Sequence, residues 1–267
     1  MNKARFVECV KGLGKLYVVY GSFDNQVPAL RAAGINSPES VRDASYVRLR
    51  GKTQNYTRTC HAPVCAKDSP VIIARISPAL SKQGMLKAMV EAHRANQYPV
   101  LDSDKSIYRE WEAIANQDKR LNPAKRRAII LPQRGEYRIH RDSDEAKFFW
   151  QDMRKPYFKE KVNGDSVPAW QIPVNAVDSA NGTIVNYIGF GRSGNGSCLV
   201  FRLRYLDCSD GEAFGVLRGS AEGALQKTEK VFLYTPAHLK VLRRILHNQG
   251  ITGDLERRIV DSIKTEQ

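Results

Sequence analysis

The sequence predicts an α+β fold: a mostly antiparallel sheet, an inserted helical region at about 80–120 and a C-terminal helical hairpin. Three observations predict it. Runs of β-branched and aromatic residues recur at 16–20, 70–76 and 128–131, as strands require. Between Ser81 and Ala115 the apolar period lengthens to three and four residues, through Met85, Leu86, Met89 and Val90 and then Ile107, Trp111, Ile114 and Ala115. Helical spacing returns after Pro236 with Leu239, Leu242, Ile245 and Leu246, and again with Leu255, Ile259 and Ile263. At 267 residues and 42% hydrophobic content the chain can bury a sizeable core.

In chain order, Leu-Tyr-Val-Val-Tyr at 16–20 reads as a strand ended by Gly21 and Ser22. Ala29 to Gly34 reads as a short helix closed by its glycine, and Pro38 stands in the first turn of another. Residues 46–58 then alternate. In an extended chain Tyr46, Arg48, Arg50, Lys52, Gln54, Tyr56 and Arg58 share one face, and Val47 and Leu49 take the other. A buried strand follows at 70–76. Ser81 caps the first inserted helix, which runs to about Gln97 before Pro99, and Asp104 opens the second. Residues 134–141 alternate again, with Tyr137 and Ile139 on the apolar face, and Asp144 caps a short helix through Phe148, Phe149 and Trp150. The prolines and glycine of 156–173 mark a long loop. There the sequence offers its one boundary, between 1–160 and 161–267, with a single continuous domain as the alternative. Residues 184–188 and 198–206 form strands around a glycine-rich tip, and Arg202 and Arg204 share the polar face of the second. Residues 213–223 are too rich in glycine to assign.

Charge narrows the partner class. The formal net charge is +14 and the isoelectric point is near 9.6, a balance that favours a polyanion over a small acidic molecule. The excess lies early: 12 cations face 5 acids in 1–75, 17 face 12 in 76–160 and 13 face 11 in 161–267. The five cysteines, odd in number and scattered, argue for a reducing compartment, with the cytoplasm as the default. No run of eighteen apolar residues occurs and the N-terminus has no signal-peptide core, so no membrane partner is expected.

The 46–58 face supplies both ingredients of a single-strand nucleic-acid platform. Arg48, Arg50, Lys52 and Arg58 neutralise phosphates, and Tyr46 or Tyr56 stacks on bases. The competing account is an edge strand whose charges discourage aggregation. A second basic cluster, Lys119, Arg120, Lys125, Arg126 and Arg127, surrounds Pro123 without an acid. It reads equally as a solvated loop or a phosphate-binding one. The third candidate is the loop Gly189-Phe-Gly191-Arg192-Ser-Gly194-Asn-Gly196, whose glycines allow close phosphate approach, or which is simply a hairpin tip. It lacks the Gly-Lys-Ser/Thr ending and following helix of a P-loop. In residues it resembles the glycine-rich loop of the RAMP superfamily of CRISPR-associated proteins. That resemblance implies ferredoxin-like domains that hold guide RNA, with Gly189, Gly191, Arg192, Gly194 and Gly196 on the RNA backbone; it identifies no catalytic residue.

The expected function is therefore binding of RNA or single-stranded DNA, within a nucleoprotein complex. If the 46–58 and 184–206 strands share a sheet, Arg48, Arg50, Arg192, Arg202 and Arg204 line one positive groove. An enzymatic alternative is a metal-independent RNA endonuclease in which His61 activates a ribose 2′-hydroxyl. A third is a protein-interaction subunit that docks through Arg243, Arg244, Arg257 and Arg258. Cys60, His61 and Cys65 lie close together but lack the fourth ligand and paired spacing of a structural zinc site, so no metal and no cofactor are expected.

Overall fold

A computed structural model of the chain describes residues 3–11, 13–51, 57–81, 84–162, 164–193, 196–201 and 212–218. These belong to one compact unit, Met1–Arg218. The hairpin expected at 235–263, with Arg243, Arg244, Arg257 and Arg258, lies outside the described residues, as do Lys52, Gln54, Tyr56, Gly194, Arg202 and Arg204.

Strands β1 (Arg5–Val10) and β2 (Gly14–Tyr20) form a hairpin, followed by helices α1 (Phe23–Ala32) and α2 (Val41–Leu49). Strands β3 (Thr57–Arg58), β4 (Ala62–Ala66) and β5 (Ile72–Ala74) lead to α3 (Pro78–Ser81), α4 (Met85–Arg94), β6 (Val100–Asp102) and α5 (Ser106–Asp118). After a 3-10 turn at Pro123–Lys125 come β7 (Ala128–Ile130), β8 (Tyr137–His140), α6 (Asp144–Trp150) and α7 (Arg154–Lys161). Strand β9 (Ser166–Trp170), helix α8 (Val174–Ser179) and strands β10 (Thr183–Val185), β11 (Gly189–Ser193), β12 (Gly196–Val200) and β13 (Glu212–Leu217) follow.

The strands make two sheets. The larger runs β1-β2-β13-β3-β11-β12-β9-β8 and the smaller β6-β10-β4-β5-β7. Among the described strands only the β12–β9 and β13–β3 pairs are parallel. The α+β class and its antiparallel bias therefore hold. Both sheets also cross residue 160, the boundary the sequence offered: β9 lies between β8 and β12, and β10 pairs with β4 and β6.

Burial explains the strand patterns. On the smaller sheet Cys65, Ile73, Ile129 and Ile184 join a core with Phe148, Phe149 and the larger sheet's Phe190 and Leu199. Their alternates Val64, Ile72, Ala74 and Val185 pack instead with Ile107, Tyr108 and Ala115 of α5. A sheet covered on both faces needs continuous apolar runs, which is what 70–76 and 128–131 supply. In the larger sheet β13 passes so close beneath Leu30 and Ile35 that a Cβ at Gly215 would stand 2.5 Å from Ile35 Cγ2. Glycine permits that approach.

The helix caps decide one major correction. Ser40 accepts a hydrogen bond from the Asp43 amide and starts α2, whose buried Val41, Ala44, Ser45, Val47 and Arg48 follow the helical period. Residues Tyr46 to Leu49, expected in a strand, continue this capped helix. Among the described residues of the expected strand, only Thr57 and Arg58 are extended, in the interior of the larger sheet. At α6 the cap is Ser143, one residue before Asp144, and Phe148, Phe149 and Trp150 are all buried. No helix among the described residues is long and apolar enough to cross a membrane.

Candidate nucleic-acid interface

The geometry takes Arg48 and Arg58 out of the expected basic platform at 46–58. Arg48 is 5% exposed, and its Nη2 donates to the Phe190 carbonyl at 2.7 Å while the guanidinium lies 4.3 Å from the Phe190 ring centroid. Arg58 is 2% exposed and donates through Nη1 to the Gly21 carbonyl at 2.6 Å. Both cations are used inside the fold. Tyr46 is half-buried, its hydroxyl donates to the Lys11 carbonyl, and the Arg50 guanidinium covers its ring at 3.6 Å. Of the expected face, the described residue that offers charge to solvent is Arg50. The single groove fails with it, since Arg48 sits in a helix and turns into the core.

The strands expected at 184–188 and 198–206 do not frame the glycines: β11 and β12 pair within 189–200 while β10 belongs to the smaller sheet, so the first glycines are ladder positions. Gly189 pairs with Val200 on one side and Arg58 on the other, and Gly191 pairs with Cys198. Arg192 stands opposite Ser197, and Ser193 opposite Gly196. Phosphate binding through Gly189 and Gly191 would compete with sheet pairing.

His61 is fully buried, with ring centroids 5.8 and 5.4 Å from those of Phe148 and Phe149. Burial, reinforced by the nearby Arg75 charge, pulls its pKa down to about 3, so the ring is neutral at physiological pH. A general base must reach the proton it removes. Placed in the core, His61 meets no ribose. Cys60 and Cys65 are buried too, and burial raises both thiols. Among the described residues no three His, Cys, Asp or Glu side chains converge as a metal site.

The basic cluster at 119–127 gives a different picture. Lys119 and Arg120 follow the C-terminal end of α5, where the helix dipole favours cations. Asn122 then caps the 3-10 turn by accepting from the Ala124 amide at 3.0 Å, with Pro123 in the first position. Asp118, buried, accepts from the Arg127 amide at 2.7 Å and from its guanidinium at 2.8 and 3.1 Å. Burial alone would raise the Asp118 carboxyl, but these donors hold it below the usual range. Arg126 donates to the Leu121 carbonyl at 2.9 Å and pairs with Asp144 at 3.3 Å. Two of the five cations are therefore neutralised. Lys119, Arg120 and Lys125 are exposed and make no ion pair among the described residues, and beside them Leu121 is 48% exposed.

Arg75 holds this turn from beneath. It donates through Nε to the Arg126 carbonyl at 2.7 Å and through Nη2 to those of Pro123 and Ala124 at 3.2 and 3.0 Å. Its guanidinium lies 4.4 Å from the Phe148 ring centroid, and its amide continues the β5–β7 ladder by donating to the Arg127 carbonyl at 2.8 Å. Sequence reasoning passed over Arg75 as part of a buried strand. The usable signal was the guanidinium itself, because an arginine inside an apolar run must find acceptors.

Comparison with known proteins adds little. No family model matches the chain and no curated protein matches it. A solved structure described as "Accommodation of massive sequence variation in Nanoarchaeota by the C-type lectin fold" superposes with a TM-score of 0.49 at 12% identity, over 79% of this chain and 100% of that one.

Proposed function

We propose that the protein binds RNA or single-stranded DNA through the 119–125 turn, as part of a nucleoprotein complex in the cytoplasm. One observation carries the reading: Lys119, Arg120 and Lys125 stand exposed, with no ion pair among the described residues, on a turn whose backbone is hydrogen-bonded from both sides, in a chain of net charge +14. A solvated charge cluster needs no such bracing. A turn that must meet a phosphate backbone gains from it, because the ordering cost falls before binding. Arg50 is a further point of attachment. It is exposed and stacks on Tyr46, an arrangement suited to phosphate and base contact. The unpaired thiols of Cys9, Cys60, Cys65 and Cys198 support a reducing compartment. The RAMP-like hairpin belongs to the same proposal only through its tip, since Gly189 and Gly191 are paired in the sheet.

The test is the salt dependence of oligouridylate binding. The triple variant Lys119→Ala, Arg120→Ala, Lys125→Ala should bind more weakly, and the slope of log affinity against log salt should flatten by about 0.7 for each phosphate no longer neutralised. An unchanged slope sinks the assignment.

A further inference from the structure

Arg75 is a half-buried cation that faces carbonyls instead of a carboxylate. Its side chain meets the carbonyl oxygens of Pro123, Ala124 and Arg126, with that of Phe148 at 3.5 Å, and no acid lies within ion-pair distance of it among the described residues. Burial pulls its pKa down to about 10, which leaves it charged at neutral pH. A guanidinium offers five donors in a planar fork and accepts nothing, so it can span carbonyls several ångströms apart in one turn, whereas a lysine ammonium has three donors on a single atom.

We infer that Arg75 is the positioning residue of the polyanion-binding turn: by pinning the Pro123, Ala124 and Arg126 carbonyls inward it holds Lys119, Arg120 and Lys125 outward as a preformed set. The inference rests on the proposed binding of single-stranded nucleic acid by that turn. Two effects act together. The pinned backbone spares the ligand the cost of ordering the turn, and the guanidinium, which makes no ion pair among the described residues, adds positive potential beneath it. Arg126 and Arg127, tied to Asp144 and Asp118, brace the same turn from its exit side.

A purely structural arginine would stabilise the fold without touching affinity, and a thermodynamic cycle separates the two roles. The variants are Arg75→Lys, the triple Lys119→Ala, Arg120→Ala, Lys125→Ala, and their combination, each as the full chain with near-ultraviolet circular dichroism reporting the fold. Arg75→Lys conserves net charge, so its expected weakening of oligouridylate binding, roughly tenfold, reflects lost positioning. In the triple background that loss should vanish, because no cations remain to be positioned. Unchanged affinity in a folded Arg75→Lys protein overturns the inference, as does a loss that persists in the combined variant. If Arg75→Lys does not fold, Asn122→Ala removes the exposed cap of the same turn and enters the same cycle, with the same outcomes deciding. A triple variant with an unaltered salt slope refutes the binding reading itself. A flattened slope beside a silent Arg75→Lys refutes only the positioning role.

Discussion

Arg48 and Phe190 are bound twice: the Arg48 guanidinium donates to the Phe190 carbonyl at 2.7 Å and lies 4.3 Å from the centre of the Phe190 ring. The pairing ties α2 to β11 across 142 positions of sequence. A cation in this setting serves cohesion, and its removal should be felt in stability and not in charge-driven binding.

Arg48→Leu should therefore destabilise the protein by about 2–4 kcal/mol, since it removes both the charged hydrogen bond and the cation's attraction to the ring. Urea unfolding measures it. In the folded fraction at low denaturant the salt slope for oligouridylate should match the wild type. A flattened slope at unchanged stability would return Arg48 to the surface and contradict its burial.

His61 gives a pH signature. Its folded pKa of about 3 lies below the ordinary 6.5, so the folded state binds fewer protons than the unfolded chain. Stability is full above about pH 6.5 and falls as pH drops towards 3. At pH 5 the deficit is roughly 2 kcal/mol. His61→Phe, which places a ring beside Phe148 and Phe149, should remove that acid-side loss while leaving the pH 7.5 value nearly unchanged. Equal acid sensitivity in both proteins would show that His61 titrates freely. RNA incubated with either protein in EDTA should yield no product that depends on His61.

Glu39 titrates in the opposite sense. Burial and the adjacent Asp43 push its carboxyl up to about 8 against the pull of Arg218, which donates to it at 3.0 Å, and the Val216 amide donates to Oε1 at 2.9 Å. Asp43, held by Arg42 at 2.7 Å, stays below its usual value despite burial. With its folded pKa raised above 4.5, Glu39 contributes stability that is complete below about pH 4.5 and is lost as pH rises towards 8. Glu39→Gln keeps the acceptor for Val216 and cannot ionise. Its melting temperature relative to the wild type should rise between pH 5 and 8 and level off above that, and a difference that is flat between pH 5 and 8 would refute the shift.

These buried charges also mark where the sequence ceased to be legible. Strands at 16–20, 70–76 and 128–131 and the helix of Met85, Leu86, Met89 and Val90 were readable because apolar spacing records which layers cover an element. The 46–58 stretch was not, because spacing counts every cation as an outward residue. Arg48 and Arg58 escape that rule through carbonyls 142 and 37 positions away. The basic turn was visible as a cluster around Pro123. Which of its cations remain free was not, since that depends on Asp118 and Asp144, placed by α5 and α6. Nothing local to 119–127 announces Arg75.

Gly182 provides the sharpest test of how the turn's foundation is built. Its φ is +134°, and a Cβ there would stand 1.8 Å from the Asp102 carbonyl oxygen and 2.9 Å from Val100 Cγ1. The neighbouring Asp102 carboxylate accepts from the Thr183 amide at 2.9 Å and from the Ile107 amide at 2.6 Å, so one residue joins β10 to the start of α5. The far end of α5 carries Asp118, which holds Arg127. Gly182→Ala must push β6 away from β10 and disturb the beginning of that helix. Backbone strain and overlap together should cost roughly 3 kcal/mol or more. Gly51→Ala is the control: φ is +70° with nothing among the described residues within 4 Å of a Cβ, so strain acts alone. There the cost should be about 1 kcal/mol. Urea unfolding of both variants measures the difference, and a Gly182→Ala protein no less stable than Gly51→Ala would mean that β6 and β10 do not approach as closely as the packing at Asp102 requires.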